Sequence, residues 1–277
     1  MAIFADHQAK SKGVFKMAGV TKPIRIGTVE IGGEKMLICV PIAATTFAGL
    51  EIQLNHISNA KPDLIEWRAD YFLGLNQSSL IVIVDKLKKA MPDTPVIFTL
   101  RDSAEGGYRF METAERLELV SRAIRSSQIA LIDIELSMEQ KQRKNILDEA
   151  ADFGVYTILS FHDFYGTPNR CVMRDKLLGM QDFGARIAKI AVTPVNTADV
   201  LELWHAVWEA KSAGLSIPVI GISMGQMGIP SRILASFFGS DIVFAAGDSP
   251  SAPGQIPYQT MRTLLDLIET IFIPRRV

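Results

Sequence analysis

Ile187-Ala188-Lys189-Ile190-Ala191-Val192 is the stretch on which the fold turns. It is short, rich in strand formers and apolar on both alternating faces, as a strand covered from two sides must be. Behind it, Val200, Leu203, Trp204, Val207 and Trp208 recur at spacings of three and four, the period of an amphipathic helix. A second apolar run, Pro218 to Ile222, follows. Strand, helix and strand in that order form a crossover unit, which predicts parallel pairing.

Outward from there the unit repeats. Val155 to Phe161, Ala130 to Ile134, Pro95 to Leu100, Leu64 to Trp67 and Met36 to Pro41 precede it, and Asp241 to Ala245 follows, making eight strand runs. The segments between them carry helical spacing, as in Leu117, Val120, Ala123 and Ile124. Eight strand-helix units in 277 residues predict an α/β fold of the closed (β/α)8 kind, the TIM barrel. A doubly wound open sheet is the alternative. Against it, no Gly-x-Gly-x-x-Gly follows the first strand and no Walker-type Gly-Lys-Ser/Thr loop occurs. Ile24 to Ile31 is β-rich, partly alternating and followed by Gly32 and Gly33, which predicts a short β-hairpin closing the barrel floor. No linker divides the chain, so residues 21–277 are expected to form one domain behind a flexible N-terminal extension, residues 1–20.

Composition narrows the functional classes. Lys plus Arg is 29 and Asp plus Glu is 30, a net charge of −1, and neither sign is gathered into a long block. Nucleic acid and membrane surfaces are therefore not the expected partners. Only Cys39 and Cys171 occur, without zinc-finger spacing, so neither a disulfide framework nor structural zinc is expected. The first twenty residues lack a continuous apolar h-region, and the uncharged stretch Ser212 to Ser231 is broken by four glycines and two prolines. A soluble, cytoplasmic enzyme is the expectation.

In such a barrel the C-terminal strand ends face the active site, so the polar residues there are the informative ones. Strand two ends in Glu66, Trp67, Arg68 and Asp70, strand three in Arg101 with Glu105 beyond, and strand four in Asp133 and Glu135. Strand five ends in His162 and Asp163, strand six carries Lys189, and the last two lead to Met224, Ser231, Arg232 and the run Ser251 to Gln255.

Period two puts Lys189 on one face with Ile187 and Ala191. Desolvation there would leave a neutral amine able to attack a carbonyl. The structural alternative is a lysine paired with a barrel carboxylate such as Glu135. His162 on the neighbouring strand could shuttle protons for imine chemistry, or be a core histidine bonded to a carbonyl. Asp163 reads as a cap, and Glu105 as either a partner orienting the histidine or a solvated loop carboxylate. Arg68, Arg101 and Arg232 aimed at one mouth imply an anionic substrate, unless they close rim salt bridges, which Arg68 could do with Glu66 or Asp70. Phe164, Phe244 and Met224 read as pocket walls. No metal-ligand cluster or nucleotide motif appears, so side chains alone should carry the chemistry, without metal or cofactor.

At these residues the chain resembles the type I 3-dehydroquinate dehydratases over about residues 21 to 277. The resemblance rests on Glu66-Trp67-Arg68-Ala69-Asp70, Arg101 with Glu105-Gly106-Gly107, His162-Asp163-Phe164, Lys189 and Ser223-Met224. Ser231-Arg232, Phe238-Gly239-Ser240 and Ser251-Ala252-Pro253-Gly254-Gln255 complete it.

The resemblance implies a lyase of the third step of the shikimate pathway, which serves aromatic amino acid biosynthesis. Lys189 would form a Schiff base with 3-dehydroquinate, and His162, held by Glu105, would carry the protons of a syn elimination to 3-dehydroshikimate. Arg232 would bind the carboxylate, with Glu66, Trp67, Arg68 and Arg101 among the substrate contacts and Ser251 and Gln255 on a closing loop. It also implies a homodimer. One departure stands out: Val40-Pro41-Ile42 occupies a place where some members carry a ligand-contacting serine. A class I aldolase using the same lysine, and a catalytically silent metabolite sensor, are the competing readings. Retention of the acid-base pair argues against the sensor.

Overall fold

The computed structural model describes residues 21–247 and 250–272, so the extension 1–20 and the end of the expected domain, 273–277, lie outside the described residues. The hairpin is present as β1 (Ile24–Ile26) and β2 (Val29–Ile31), paired antiparallel. Strands and helices then alternate: β3 (Leu37–Ile42), α1 (Phe47–Ala60), β4 (Leu64–Arg68), α2 (Gln77–Ala90), β5 (Val96–Thr99) and α3 (Thr113–Ile124). They continue as β6 (Leu131–Glu135), α4 (Gln140–Asp152), β7 (Tyr156–Asp163), α5 (Arg170–Asp182), β8 (Ile187–Val192) and α6 (Thr197–Ser212). The last units are β9 (Val219–Ser223), α7 (Ile229–Ile233), β10 (Ile242–Phe244) and α8 (Tyr258–Phe272). Each of the eight expected strands forms, with ends moved by no more than two residues.

The eight run parallel in the order β10-β3-β4-β5-β6-β7-β8-β9, with β3 to β9 each joined to the next strand in sequence through a crossover segment. Between β9 and β10 side chains take over from the ladder. The Asp241 amide donates to Val219 O at 2.7 Å, the Asp241 carboxylate accepts the Val219 amide at 2.8 Å, and Ser240 Oγ accepts the Gly221 amide at 3.1 Å. These bonds close the ring where β10 is only three residues long. Helix starts are fixed locally: Thr46 accepts the Gly49 amide at α1, and Asn196 and Asp199 form a capping box at α6.

Period two splits the strands into two faces. Ile65, Trp67, Phe98, Ile132, Leu159, Ala188 and Ile190 point outward and pack with the helices in one apolar cluster. Leu37, Leu64, Ile97, Leu131, Ile158, Ile187, Ile220 and Ile242 point inward near the strand starts, and Ile24 and Ile31 of the hairpin join that same inner cluster. The hairpin therefore closes the floor as expected, with each such side chain contributing about 1.5–3 kcal/mol by burial. Two residues further along, five of these eight inward positions turn polar, those on β4 to β8. The site begins there.

Candidate active site

The polar layer begins with Glu66, Thr99, Asp133, Ser160 and Lys189, all buried and all two positions beyond an inner apolar residue of the same strand. Lys189 Nζ lies 2.8 Å from Asp133 Oδ2 and 3.6 Å from Glu66 Oε1, and 4.7 Å from the Phe244 ring centre. This differs from the expected apolar surroundings: the pairing is that of an ammonium group with two carboxylates. The partner also differs. Glu135 is not available to the lysine, because it accepts from Arg101 at 2.9 Å, from the Asp102 amide at 3.0 Å and from Arg116 at 2.8 Å. Arg116 comes from α3 and is itself buried, at helical spacing with Leu119, Val120, Ala123 and Ile124 on the inner face of that helix.

Asp133 is enclosed by cations and donors. Arg101 reaches it at 2.9 Å and Ser160 Oγ donates to it at 2.5 Å, while Arg101 also donates to Ser160 Oγ at 2.8 Å. Burial alone would raise the Asp133 carboxyl, but Arg101 and Lys189 outweigh it and hold it well below the usual carboxylate range. Burial likewise opposes the Arg101 charge, and Asp133 and Glu135 overcome that, keeping the guanidinium above its ordinary value.

His162, on β7, faces the same space. Its Nδ1 is 3.0 Å from Glu105 Oε2, which also accepts the His162 amide at 3.0 Å. A neutral ring donating Nδ1–H to that carboxylate leaves the Nε2 lone pair available. Burial, with Arg101 and Lys189 nearby, pushes the imidazole well below its ordinary value, so it rests neutral and ready to take a proton. Burial also raises Glu105 above the usual carboxylate value, although Ser137 Oγ donates to it at 2.5 Å. Asp163 caps the next turn, accepting the Tyr165 and Gly166 amides. Gly106 is required where it is: its φ is +81°, and an added Cβ would lie 2.3 Å from the Phe164 ring.

The three arginines do not behave alike. Arg68 is bound bidentate by Asp70, at 2.9 and 2.8 Å, and lies over the Tyr71 ring. Arg101 is committed to Asp133, Glu135 and Ser160. Arg232, buried on α7, meets only carbonyls, Phe244 O at 3.3 Å and Pro253 O at 3.1 Å, and among the described residues no carboxylate. Its Nε is buried without a partner, and burial pushes its guanidinium down to about 10. An unneutralised buried cation is costly, so an arriving anion would be strongly favoured there.

The loop after β10 folds over this point. Gly225 donates to Pro253 O at 3.1 Å, and a Cβ on Gly254, whose φ is +76°, would strike Gly225 O at 2.1 Å. Ser251 and Gln255 bond to one another, the Ser251 amide to Gln255 Oε1 at 2.8 Å and Gln255 Nε2 to Ser251 Oγ at 3.2 Å. One cavity is lined by Glu66, Arg68, Arg101, Glu105, His162, Lys189, Arg232, Ser251 and Gln255. Phe164, Met224, Phe244, Ala191 and Ile222 are its apolar lining residues.

Trp67 is the exception. It does not line the cavity, because it alternates with Glu66 and Arg68 and points outward, fully buried edge-on against Phe98. Its place beside two pocket residues in sequence is what a period-two strand forbids in space. Two residues were undervalued in the sequence. Asp133 stood at a strand end without an assigned part, and Ser160 carries no signal beyond lying two before His162 and so on the same face.

Comparison with known proteins agrees with this geometry. The model of the type I 3-dehydroquinase family matches residues 38–271. A 3-dehydroquinate dehydratase of Geobacillus sp. (strain WCH70) is 34% identical over 250 residues, covering 90% of this chain and 96% of that protein. The crystal structure of 3-dehydroquinate dehydratase from Geobacillus kaustophilus HTA426 superposes with a TM-score of 0.88 at 33% identity, covering 94% of this chain and 100% of that one. That of the type I enzyme from Clostridium difficile, with covalent modified comenic acid, gives 0.87 at 31% identity, covering 91% and 99%.

Proposed function

The chain belongs to the type I 3-dehydroquinase family, lyases of the shikimate pathway, and we propose that it dehydrates 3-dehydroquinate to 3-dehydroshikimate through an imine on Lys189, with His162 as the proton carrier. The observation that supports this most is one cavity shared by a buried lysine, a neutral histidine held by Glu105 and an arginine that, among the described residues, is bonded only to carbonyls.

Arg232 would take the substrate carboxylate, and Arg68, Arg101 and Glu66 the ring hydroxyls. Lys189 first gives up its proton to His162 Nε2, and its lone pair then attacks the C3 carbonyl carbon, the carbonyl oxygen taking up a proton from the attacking nitrogen. The resulting carbinolamine loses its hydroxyl as water, with a proton from His162 Nε2, which leaves a cationic iminium. His162, neutral again, accepts the proton from C2 while the C–H electron pair moves into the iminium to give an enamine. When that pair returns, the C1–O bond breaks and the hydroxyl departs with the proton held by His162. Water then adds to the conjugated iminium and releases 3-dehydroshikimate and the lysine amine. Glu105 keeps the imidazole in the Nδ1–H tautomer throughout. Closure of the Ser251–Gln255 loop would exclude water while the imine exists.

The enzyme would work as a homodimer in the cytoplasm. Exposed Phe153, Val172, Phe183 and Trp208 on or beside α4, α5 and α6 offer apolar surface for a second copy. A monomer in analytical ultracentrifugation at micromolar concentration would remove that part. The central reading is tested by borohydride reduction with 3-dehydroquinate present, followed by peptide mass spectrometry. A reduced adduct on Lys189 together with turnover is the expected result. Turnover without an adduct would mean elimination without an imine, and neither would return the question to the aldolase and sensor readings.

A further inference from the structure

Asp133 does not line the cavity, yet it makes the shortest contact with the nucleophile, 2.8 Å from Lys189 Nζ, and is wholly buried. It is one end of a line of alternating charges. Arg101 bonds it, Glu135 bonds Arg101, Arg116 bonds Glu135, and Asp102, whose side chain is 37% exposed, bonds Arg116 at 2.7 Å. Ser160 Oγ, donating to Asp133 and accepting from Arg101, fixes the carboxylate's orientation. So much fixing is out of proportion to stability alone, since a buried ion pair seldom improves on an apolar replacement.

Resting on the imine reading above, we infer that Asp133 is the fixed counter-ion and positioning residue of Lys189, holding the ammonium in the resting enzyme and the iminium that replaces it during turnover.

Three physical points carry this. First, the positive charge does not leave the nitrogen's surroundings: ammonium becomes amine for the attack, and the cation returns as iminium on the same atom. A carboxylate beside that nitrogen lowers the free energy of both cationic forms. Second, Asp133 stays ionised because Arg101 and Lys189 hold it so, which makes it a fixed charge and not a proton carrier. Proton transfer is left to His162. Third, sharing Asp133 with Arg101 and Ser160 spreads its charge, so that it can hold the lysine without preventing release of its proton.

The other groups around Lys189 do not duplicate this. Glu66 from β4 is farther, at 3.6 Å, and accepts from Thr99. Cys39 from β3 is a buried thiol raised well above its ordinary value, with burial and Glu66 the main causes. Arg101 from β5, His162 from β7 and Arg232 from α7 are cationic or neutral, and β9 and β10 contribute only apolar or hydroxyl side chains.

The experiment compares the full-length protein with Asp133→Asn. Acetic anhydride labelling of Lys189 is followed by peptide mass spectrometry across pH, beside kcat and KM for 3-dehydroquinate. Removal of the counter-ion should move the pH at which Lys189 becomes reactive down by about one unit. It should lower kcat by about 100-fold while KM changes by less than about threefold. An unmoved labelling midpoint, or a kcat within about threefold of the parent, overturns the inference. A purely structural loss would reduce amplitude without moving the midpoint. Should Asp133→Asn fail to fold, Ser160→Ala keeps every charge and removes one donor from the carboxylate. The labelling midpoint should then rise, and an identical midpoint overturns the inference. The unmodified protein, trapped with borohydride in parallel, separates the two levels. An adduct on Lys189 with an unmoved variant removes only Asp133, whereas no adduct removes the imine reading and the counter-ion with it.

Discussion

The floor and the mouth of this barrel are built from the same strands, two residues apart, and they serve opposite ends. At the floor, Leu64, Ile97, Leu131, Ile158 and Ile187 meet the hairpin residues Ile24 and Ile31 in a dry apolar layer. At the mouth, Glu66, Thr99, Asp133, Ser160 and Lys189 occupy the next inward position of those five strands. The lower layer returns free energy by burial. The upper layer spends some of it to desolvate charges, which are tolerated because nearly all are paired. The contrast teaches that one scaffold can be stable at one end and reactive at the other without any change of architecture.

That division can be tested by breaking each half separately. Lys189→Ala should abolish turnover of 3-dehydroquinate, followed by ultraviolet absorbance of the conjugated enone, while circular dichroism and ligand-induced melting shifts persist. Steady turnover in that variant would falsify the nucleophile assignment. Arg232→Ala should act mainly on binding, with KM raised by about 10- to 100-fold through loss of the charged carboxylate pair. A fall in kcat at unchanged KM would reassign the residue to chemistry.

Leu131→Ala, in the floor, should reverse the pattern. A cavity there costs about 2–5 kcal/mol in urea unfolding, yet kcat per folded molecule should stay within about twofold. A large drop in kcat would show that the two layers are coupled.

The pH dependence of stability separates them again. The folded imidazole of His162 lies well below its ordinary value, so between about pH 6.5 and its folded value the unfolded chain binds a proton that the folded chain refuses. The stability tied to this group is therefore present above about pH 6.5 and is lost as pH falls through that window, at up to about 1.4 kcal/mol per unit. His162→Gln should flatten the fall in Tm between about pH 6.5 and 5, and an unchanged slope would assign it to other groups. Asp133, held low by its cations, contributes in a different window that opens only below its unfolded value of about 4. Trp67→Phe should have the smallest effect on kcat and KM, because the ring packs away from the cavity against Phe98. A raised KM in that variant would return Trp67 to the substrate contacts.

The architecture was legible because strand and helix periods are local properties, and eight repeats of one unit at this length leave few closed solutions. Most of the site was legible for the same reason: once strand ends are known, Lys189, His162, Glu105 and Arg232 fall at one mouth. Trp67 was expected among the substrate contacts against the same period, since its neighbours Glu66 and Arg68 share the face opposite to it. What alternation could not supply was pairing between strands that do not touch in sequence.

By itself, then, the sequence determined the barrel, its hairpin floor and the residue types at the mouth, since these follow from composition and periodicity along one chain. Only the tertiary structure decided that Lys189 pairs with Asp133 and not Glu135, that Arg116 of a helix reaches inward to claim Glu135, and that Arg232 meets only carbonyls among the described residues. Those choices depend on how alternate strands bring their inward side chains into one layer. They also depend on which of several carboxylates has lone pairs left once its nearest cations are served, and both are properties of the closed ring.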